Sequence, residues 1–195
     1  IFVFSAWPPP DTVEGFFDLF NHNWLLGLLS LDLIYLLNNI LLAFVYLALY
    51  FALRKANHSL MIIALVPGFI GIAVYYASSV AFEMLSLSNQ FEVADSPELK
   101  SQLLASGRML IETYKGTAFD VYYVLNAFTL LLVSYVMFKS DIFSKTTSIW
   151  GLASGVLMII PSTAGTIGLV FSLLSLIPWV VFSVLIARKL LVLSK

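Results

Sequence analysis

The apolar positions of this chain come in long unbroken runs, and its polar positions are gathered between them. Residues 24–53 make one run of 30 residues, about 45 Å as a helix and longer than the ~30 Å hydrocarbon core of a bilayer. Shorter runs follow at 60–82 and 119–138. Residues 149–191 are nearly all apolar, twice what one crossing needs. The turn-forming stretch Pro161-Ser162-Thr163-Ala164-Gly165 predicts a tight hairpin there, dividing crossings at 149–160 and 168–187. The pattern predicts an all-α, single-domain membrane bundle over 1–195 with five full crossings.

Two further helices are expected outside the membrane. In 11–23 (DTVEGFFDLFNHN), Phe16, Phe17 and Phe20 fall at i, i+1 and i+4. A short helix here would sink its rings into the membrane interface and turn Asp11, Glu14 and Asp18 to water. In the 83–118 loop, Asp95-Ser96-Pro97-Glu98 is a helix start: a serine cap, proline at the first helical position and an acid in the first turn. Leu99, Leu103, Leu110 and Tyr114 then repeat at helical spacing, predicting an amphipathic interfacial helix over about 97–115. Gly116 would let the chain turn into the next crossing. The apolar start, 1–7, stops at three prolines. It reads either as the outer end of a truncated crossing, a sixth, or as a signal-sequence remnant. No small-residue cleavage pattern supports the second.

Charge then orients the bundle. Seven of the ten Lys and Arg residues follow every second apolar run: Arg54 and Lys55, Lys139 and Lys145, then Arg188, Lys189 and Lys195. Ten of the eleven acids lie elsewhere, Asp141 being the exception. By the positive-inside rule, 54–59, 139–148 and the C-terminus are cytoplasmic, while 8–23, 83–118 and 161–167 are outside. The expected location is the plasma or inner membrane.

Composition narrows the chemistry. Charged residues are 11% of the chain against about 25% in soluble domains. A net charge of −1 provides no basic field for nucleic acid. There is no cysteine, which removes disulfides, thiolate nucleophiles and iron–sulfur ligation. Two histidines, His22 and His58, give little basis for a haem or binuclear metal centre, and both read as solvated or capping residues. Nucleotide-binding and common hydrolase motifs are absent.

The candidate site residues are the polar groups within or beside the crossings. Asp32, Tyr35 and Asn39 fall at i, i+3 and i+7, one helical stripe that Tyr46 extends. Counted from the basic ends, Asp32, Glu83 and Asp120 all come to about the outer boundary, ~30 Å away. Tyr75, Tyr76, Ser78 and Ser79 lie just below Glu83; Tyr122, Tyr123 and Asn126 lie just below Asp120. The binding reading takes Asp32, Tyr35, Asn39, Glu83, Tyr76, Asp120, Tyr123 and Asn126 as a shallow outward pocket for a cation or polar ligand. The structural reading makes the acids and tyrosines an interfacial belt and the asparagines interhelical glue. Gly151 and Gly155, four apart with Ser154 between them, read as a close helix-packing face. Pro67 and Pro178 are expected to kink their helices.

Four stretches carry a family likeness: ALYFALRKANHSL at 48–60, AFEMLSLSNQ at 81–90, GTAFDVYYVL at 116–125 and MFKSDIFSKTTSIWG at 137–151. With them, the chain resembles a functionally uncharacterised family of small polytopic integral membrane proteins of prokaryotes, a domain of unknown function. The resemblance implies a bundle of about six crossings in a cell membrane and assigns no residue a role. Three functions stay open: an accessory or structural subunit packing among membrane lipids and other subunits, a transport or sensor protein binding a small solute, ion or lipid, and an intramembrane enzyme acting on a lipid or quinone. The missing signatures lean the reading away from an enzyme. The sequence names no cofactor.

Overall fold

A computed structural model describes residues 8–193. The apolar start, residues 1–7, and Lys195 lie outside them. The described residues form helices α1 (Val13–His22), α2 (Trp24–Ser30), α3 (Leu33–Leu53), α4 (His58–Ser78), α5 (Ala81–Glu92), α6 (Pro97–Tyr114), α7 (Thr117–Lys139), α8 (Lys145–Leu157) and α9 (Gly165–Leu193). Among the described residues four helical stretches, Leu33–Leu53, His58–Glu92, Pro97–Lys139 and Gly165–Leu193, are long and apolar enough to cross a membrane. The protein is a multi-pass, all-helical membrane protein.

The chain divides into two compact units, Ile1–Asn38 with Tyr76–Ala118, and Asn39–Tyr75 with Phe119–Lys195. The first is built by caps and aromatic packing. Thr12 accepts from the Gly15 amide to start α1, Asn23 from the Leu26 amide to start α2, and Ser96 from the Leu99 amide to start α6. Each supplies an oxygen to a backbone N–H that the first helical turn leaves without a partner. Phe16, Phe17 and Phe20 join Val13, Leu28, Leu31, Val80, Ala81 and Met84 in one buried core. The rings expected in the membrane interface are thus buried in protein. Their i, i+1, i+4 face meets the apolar face of α5, a partner 60-odd residues away. Ser88 fixes that contact, its hydroxyl donating to the Phe17 carbonyl at 3.0 Å and to the Asn21 side chain at 2.9 Å.

The second unit packs α4, α7, α8, α9 and all but the start of α3. Leu49, Leu53, Met61, Ala64, Leu130, Val133, Met137, Phe143, Phe182 and Ile186 share one core cluster. On α8, Gly151 is buried against Ser134 of α7 and Phe182 of α9. A Cβ added to it would stand 2.8 Å from the Phe182 ring, and one added to Gly155 would stand 2.8 Å from Leu131. Ser154, between them, donates to the Ser175 carbonyl of α9 at 3.3 Å.

Three sequence boundaries shift. The run 24–53 is two helices, because Asp32 has φ 61, a left-handed residue that no α-helix accommodates; Asp is among the few residues that adopt it. The helix through the crossing expected at 60–82 ends at Ser78, inside the longer apolar stretch His58–Glu92, and Glu83 lies in the first turn of a new helix, α5. The stretch 149–160 is occupied by α8, which begins at Lys145 and has 13 residues, about 20 Å of rise. Turn residues follow it to Gly165, whose φ of 64 opens α9. Pro67 and Pro178 lie inside α4 and α9, and neither ends its helix.

Candidate functional site

Within the second unit, polar side chains converge on α7. The Tyr122 hydroxyl donates to the Asn39 side-chain oxygen at 3.0 Å. The Asn126 amide donates to the Tyr122 carbonyl at 2.8 Å, and its oxygen accepts from the Tyr46 hydroxyl. One turn along, Thr129 donates to the Ala64 carbonyl of α4 at 2.8 Å. Asn39 and Thr129 have no exposed surface, and Tyr46, Tyr122 and Asn126 are buried. Two glycines of α4 make room for this layer. A Cβ on Gly71 would stand 2.8 Å from the Asn126 amide nitrogen, and one on Gly68 2.7 Å from the Tyr46 ring. Tyr75 closes the layer with its ring centroid 4.7 Å from that of Tyr122.

The other flank of α7 faces the α8–α9 hairpin. Tyr123 lies near Ser172 and Ser175 on α9. At the end of the helix, Asp120 accepts from the hydroxyl of Thr163 in the turn before α9. So α7 sends side-chain hydrogen bonds to α3 and α4 on one flank and toward the hairpin on the other. One buried group in this layer is left over: the Asn39 side-chain nitrogen has no hydrogen-bond partner among the described residues. Amides, phenols and hydroxyls make up the layer, and none of them changes charge near neutral pH. Its chemistry is hydrogen bonding to neutral or weakly polar groups.

The remaining candidates belong to the first unit. Asp32 accepts from the Tyr114 hydroxyl at the end of α6, so a residue at the break between α2 and α3 is tied to the amphipathic helix α6. Tyr35 is 43% exposed; the left-handed backbone at Asp32 takes Asp32 itself, which precedes α3, off the helical stripe it was expected to share. Tyr76 donates to the Leu36 carbonyl at 3.0 Å. Glu83 is exposed. A shallow cavity of about 300 Å³ lies beside the start of α1, lined by Asp11, Thr12, Val13, Glu14, Arg108, Ile111 and Glu112. None of the eight residues of the expected binding pocket lines it. Arg108 and Glu14 pair across it at 4.0 Å, both well exposed, a geometry that contributes little. Among the described residues no cluster of three His, Asp or Glu could hold a metal ion.

Sequence reasoning found Asn39, Tyr46, Tyr122 and Asn126 but not Thr129, Gly68 and Gly71. The signal for the glycines was available: Ala64, Gly68 and Gly71 are three small residues at i, i+4 and i+7, one stripe of α4.

A helical bundle whose hydrogen-bonding side chains point inward and whose long helices are apolar outside defines a multi-pass integral membrane protein. The model of a family described as a domain of unknown function, DUF4386, matches residues 12–193, and the chain belongs to that family. No curated protein and no solved structure matches it.

Proposed function

We propose that this protein is a non-catalytic membrane subunit that packs against other chains in a larger complex. The observation that carries this reading is a division within the molecule. Asp120, Tyr122, Asn126 and Thr129 of α7 are engaged with neighbouring elements of their own unit, while the apolar windows of Leu33–Leu53 and Gly165–Leu193 are only 22% buried. The interior chemistry serves cohesion, and the broad outer faces of α3 and α9 are open to lipid and to other helices. Close packing, not a hydrophobic force, joins helices in lipid. The test is purification of the full chain in mild detergent from its native membrane. A fixed-ratio partner on a native gel is the expected result, and migration as a lone chain sinks the reading.

The accompanying topology has five crossings with the C-terminus cytoplasmic, in the plasma or inner membrane. Support for the fifth comes from the second unit. Met137 and Phe143 at one end of α7 and α8 share a cluster with Leu53, Met61 and Ile186. The chain therefore leaves and returns to the same end between Lys145 and Arg188, with α8 and the turn residues 158–164 together making the outward leg.

A second reading is favoured by the unpartnered Asn39 amide: a small-solute site inside the second unit, with Asn39, Tyr122, Asn126 and Tyr46 as its polar wall. Its measurement is mass analysis of small molecules released on denaturing the purified chain. A compound present in wild type and lost in Asn39→Leu supports it; identical profiles remove Asn39 from any such site.

A further inference from the structure

The second unit gathers its cations at one end. Arg54 and Lys55 follow α3, Lys139 ends α7, Lys145 begins α8, and Arg188 and Lys189 lie near the end of α9. The apolar residues beside them, Leu53, Met61, Met137, Phe143 and Ile186, are members of one core cluster, so these helix ends ring a single face of the unit. Asp141 is the one carboxylate in the same segments, and it is exposed. Among the described residues no ion pair involves any of these cations at 4.0 Å or less.

Three of the cations stand over aromatic rings. The Arg54 guanidinium is 5.3 Å from the Phe51 centroid, the Lys139 ammonium 5.8 Å from Tyr135 and the Lys145 ammonium 5.2 Å from Phe138. The rings face outward, Phe51 60% exposed, Tyr135 49% and Phe138 38%. Lys145 also donates to the Phe138 carbonyl, which occupies part of its hydrogen-bonding capacity at the end of α7. Orientation during insertion accounts for cations on one side of a membrane, and the helix dipole accounts for cations at helix C-termini. Neither places a ring beneath a cation, and the interfacial belt, which favours Tyr and Trp, does not account for the Phe51 and Phe138 rings under Arg54 and Lys145.

We propose that this rim is a binding surface for anionic glycerophospholipid headgroups. Each pair is a two-level receptor: the ring meets the glycerol and upper acyl region, and the cation above it meets the phosphate. The apolar level is what selects a lipid over free phosphate, which has nothing to place on an exposed phenyl or phenol ring. Arg54–Phe51 and Lys139–Tyr135 are its main elements, since Lys145 is already engaged by a carbonyl.

The experiment uses the full chain in phosphatidylcholine vesicles, with brominated phosphatidylglycerol or brominated phosphatidylcholine as quencher of the native tryptophans, Trp150 lying on α8 close to Lys145. Phosphatidylglycerol is expected to bind several-fold more strongly, with the preference shrinking as salt rises. Arg54→Gln and Lys139→Gln should each cut it by roughly five-fold, about the effect of one cation near an anionic surface. Phe51→Leu should weaken it while leaving every charge in place. Lys100→Gln, in the first unit, should change nothing, and helical circular dichroism checks that each variant is folded. Equal quenching by the two lipids overturns the proposal. So does a preference indifferent to Arg54→Gln and Lys139→Gln, and so does displacement by inorganic phosphate, which makes the rim a soluble-anion site.

Discussion

At the scale of single residues, the polar positions of the crossings divide by what surrounds them. Asn38 and Asn39 are adjacent in sequence, yet Asn38 is exposed and Asn39 fully buried, because successive residues on a helix point 100° apart. Asn126 is the centre of the buried layer: it bonds Tyr46 and its own helix at once. Asn126→Leu should destabilise the protein by about 1–2 kcal/mol in reversible unfolding from detergent micelles, since it strands the Tyr46 hydroxyl. Tyr46→Phe should cost less, roughly 0.5–1 kcal/mol, because the ring still packs over Gly68. A larger loss in Tyr46→Phe than in Asn126→Leu would contradict the pairing. Gly151→Val pushes a side chain toward Ser134 and Phe182; overpacking of this kind costs about 1–3 kcal/mol, seen as a lowered thermal midpoint.

At the scale of elements, the chain was most legible where local rules act. The Ser96 cap, Pro97 at the first helical position and the run to Tyr114 could be read directly, because capping and periodicity depend on neighbours a few residues away. The break at Asp32 could not. Nothing in an apolar run of 30 residues signals one left-handed aspartate, and its partner Tyr114 is 82 positions distant. The phenylalanines of α1 show the same limit. Their helical face was clear from spacing, but a face that is buried in protein looks identical to one buried in lipid. Phe17, 1% exposed and 5.2 Å from the Phe91 ring, makes the difference measurable. Phe17→Ala should destabilise the first unit by about 3–5 kcal/mol and raise amide exchange in α1, α5 and α6. If the ring served only as a membrane anchor, membrane attachment would suffer and exchange in α5 would not. Ser96→Ala should cost about 1 kcal/mol, confined to faster exchange in the first turn of α6.

At the scale of the whole molecule, the absence of cysteine makes the proposed topology directly testable. Single cysteines at Asn57 and Asp141 should be labelled by an impermeant maleimide only when the cytoplasmic face is opened. Cysteines at Asp95 and Ser162 should react from the outside in intact cells. Reaction of Ser162 and Asp141 from the same side would remove the fifth crossing. The acidic candidates were legible by residue type, whereas their partners were not. Asp32 meets Tyr114 and Asp120 meets Thr163, and no periodicity connects such distant positions.

The hydrogen bonds that α7 makes to α3 also set a schedule for synthesis. Tyr46 and Asn39 receive their partners from residues 80 and 83 positions further along the chain. At the usual pace of translation that is a delay of roughly 4–17 s, during which α3 has left the ribosome and Asn126 and Tyr122 have not been made. Until they arrive, an amide and a phenol on α3 must find substitutes in water, lipid headgroups or an assisting protein. Replacing both by apolar residues should therefore shorten the time α3 stays beside the insertion machinery, even as it weakens the finished bundle.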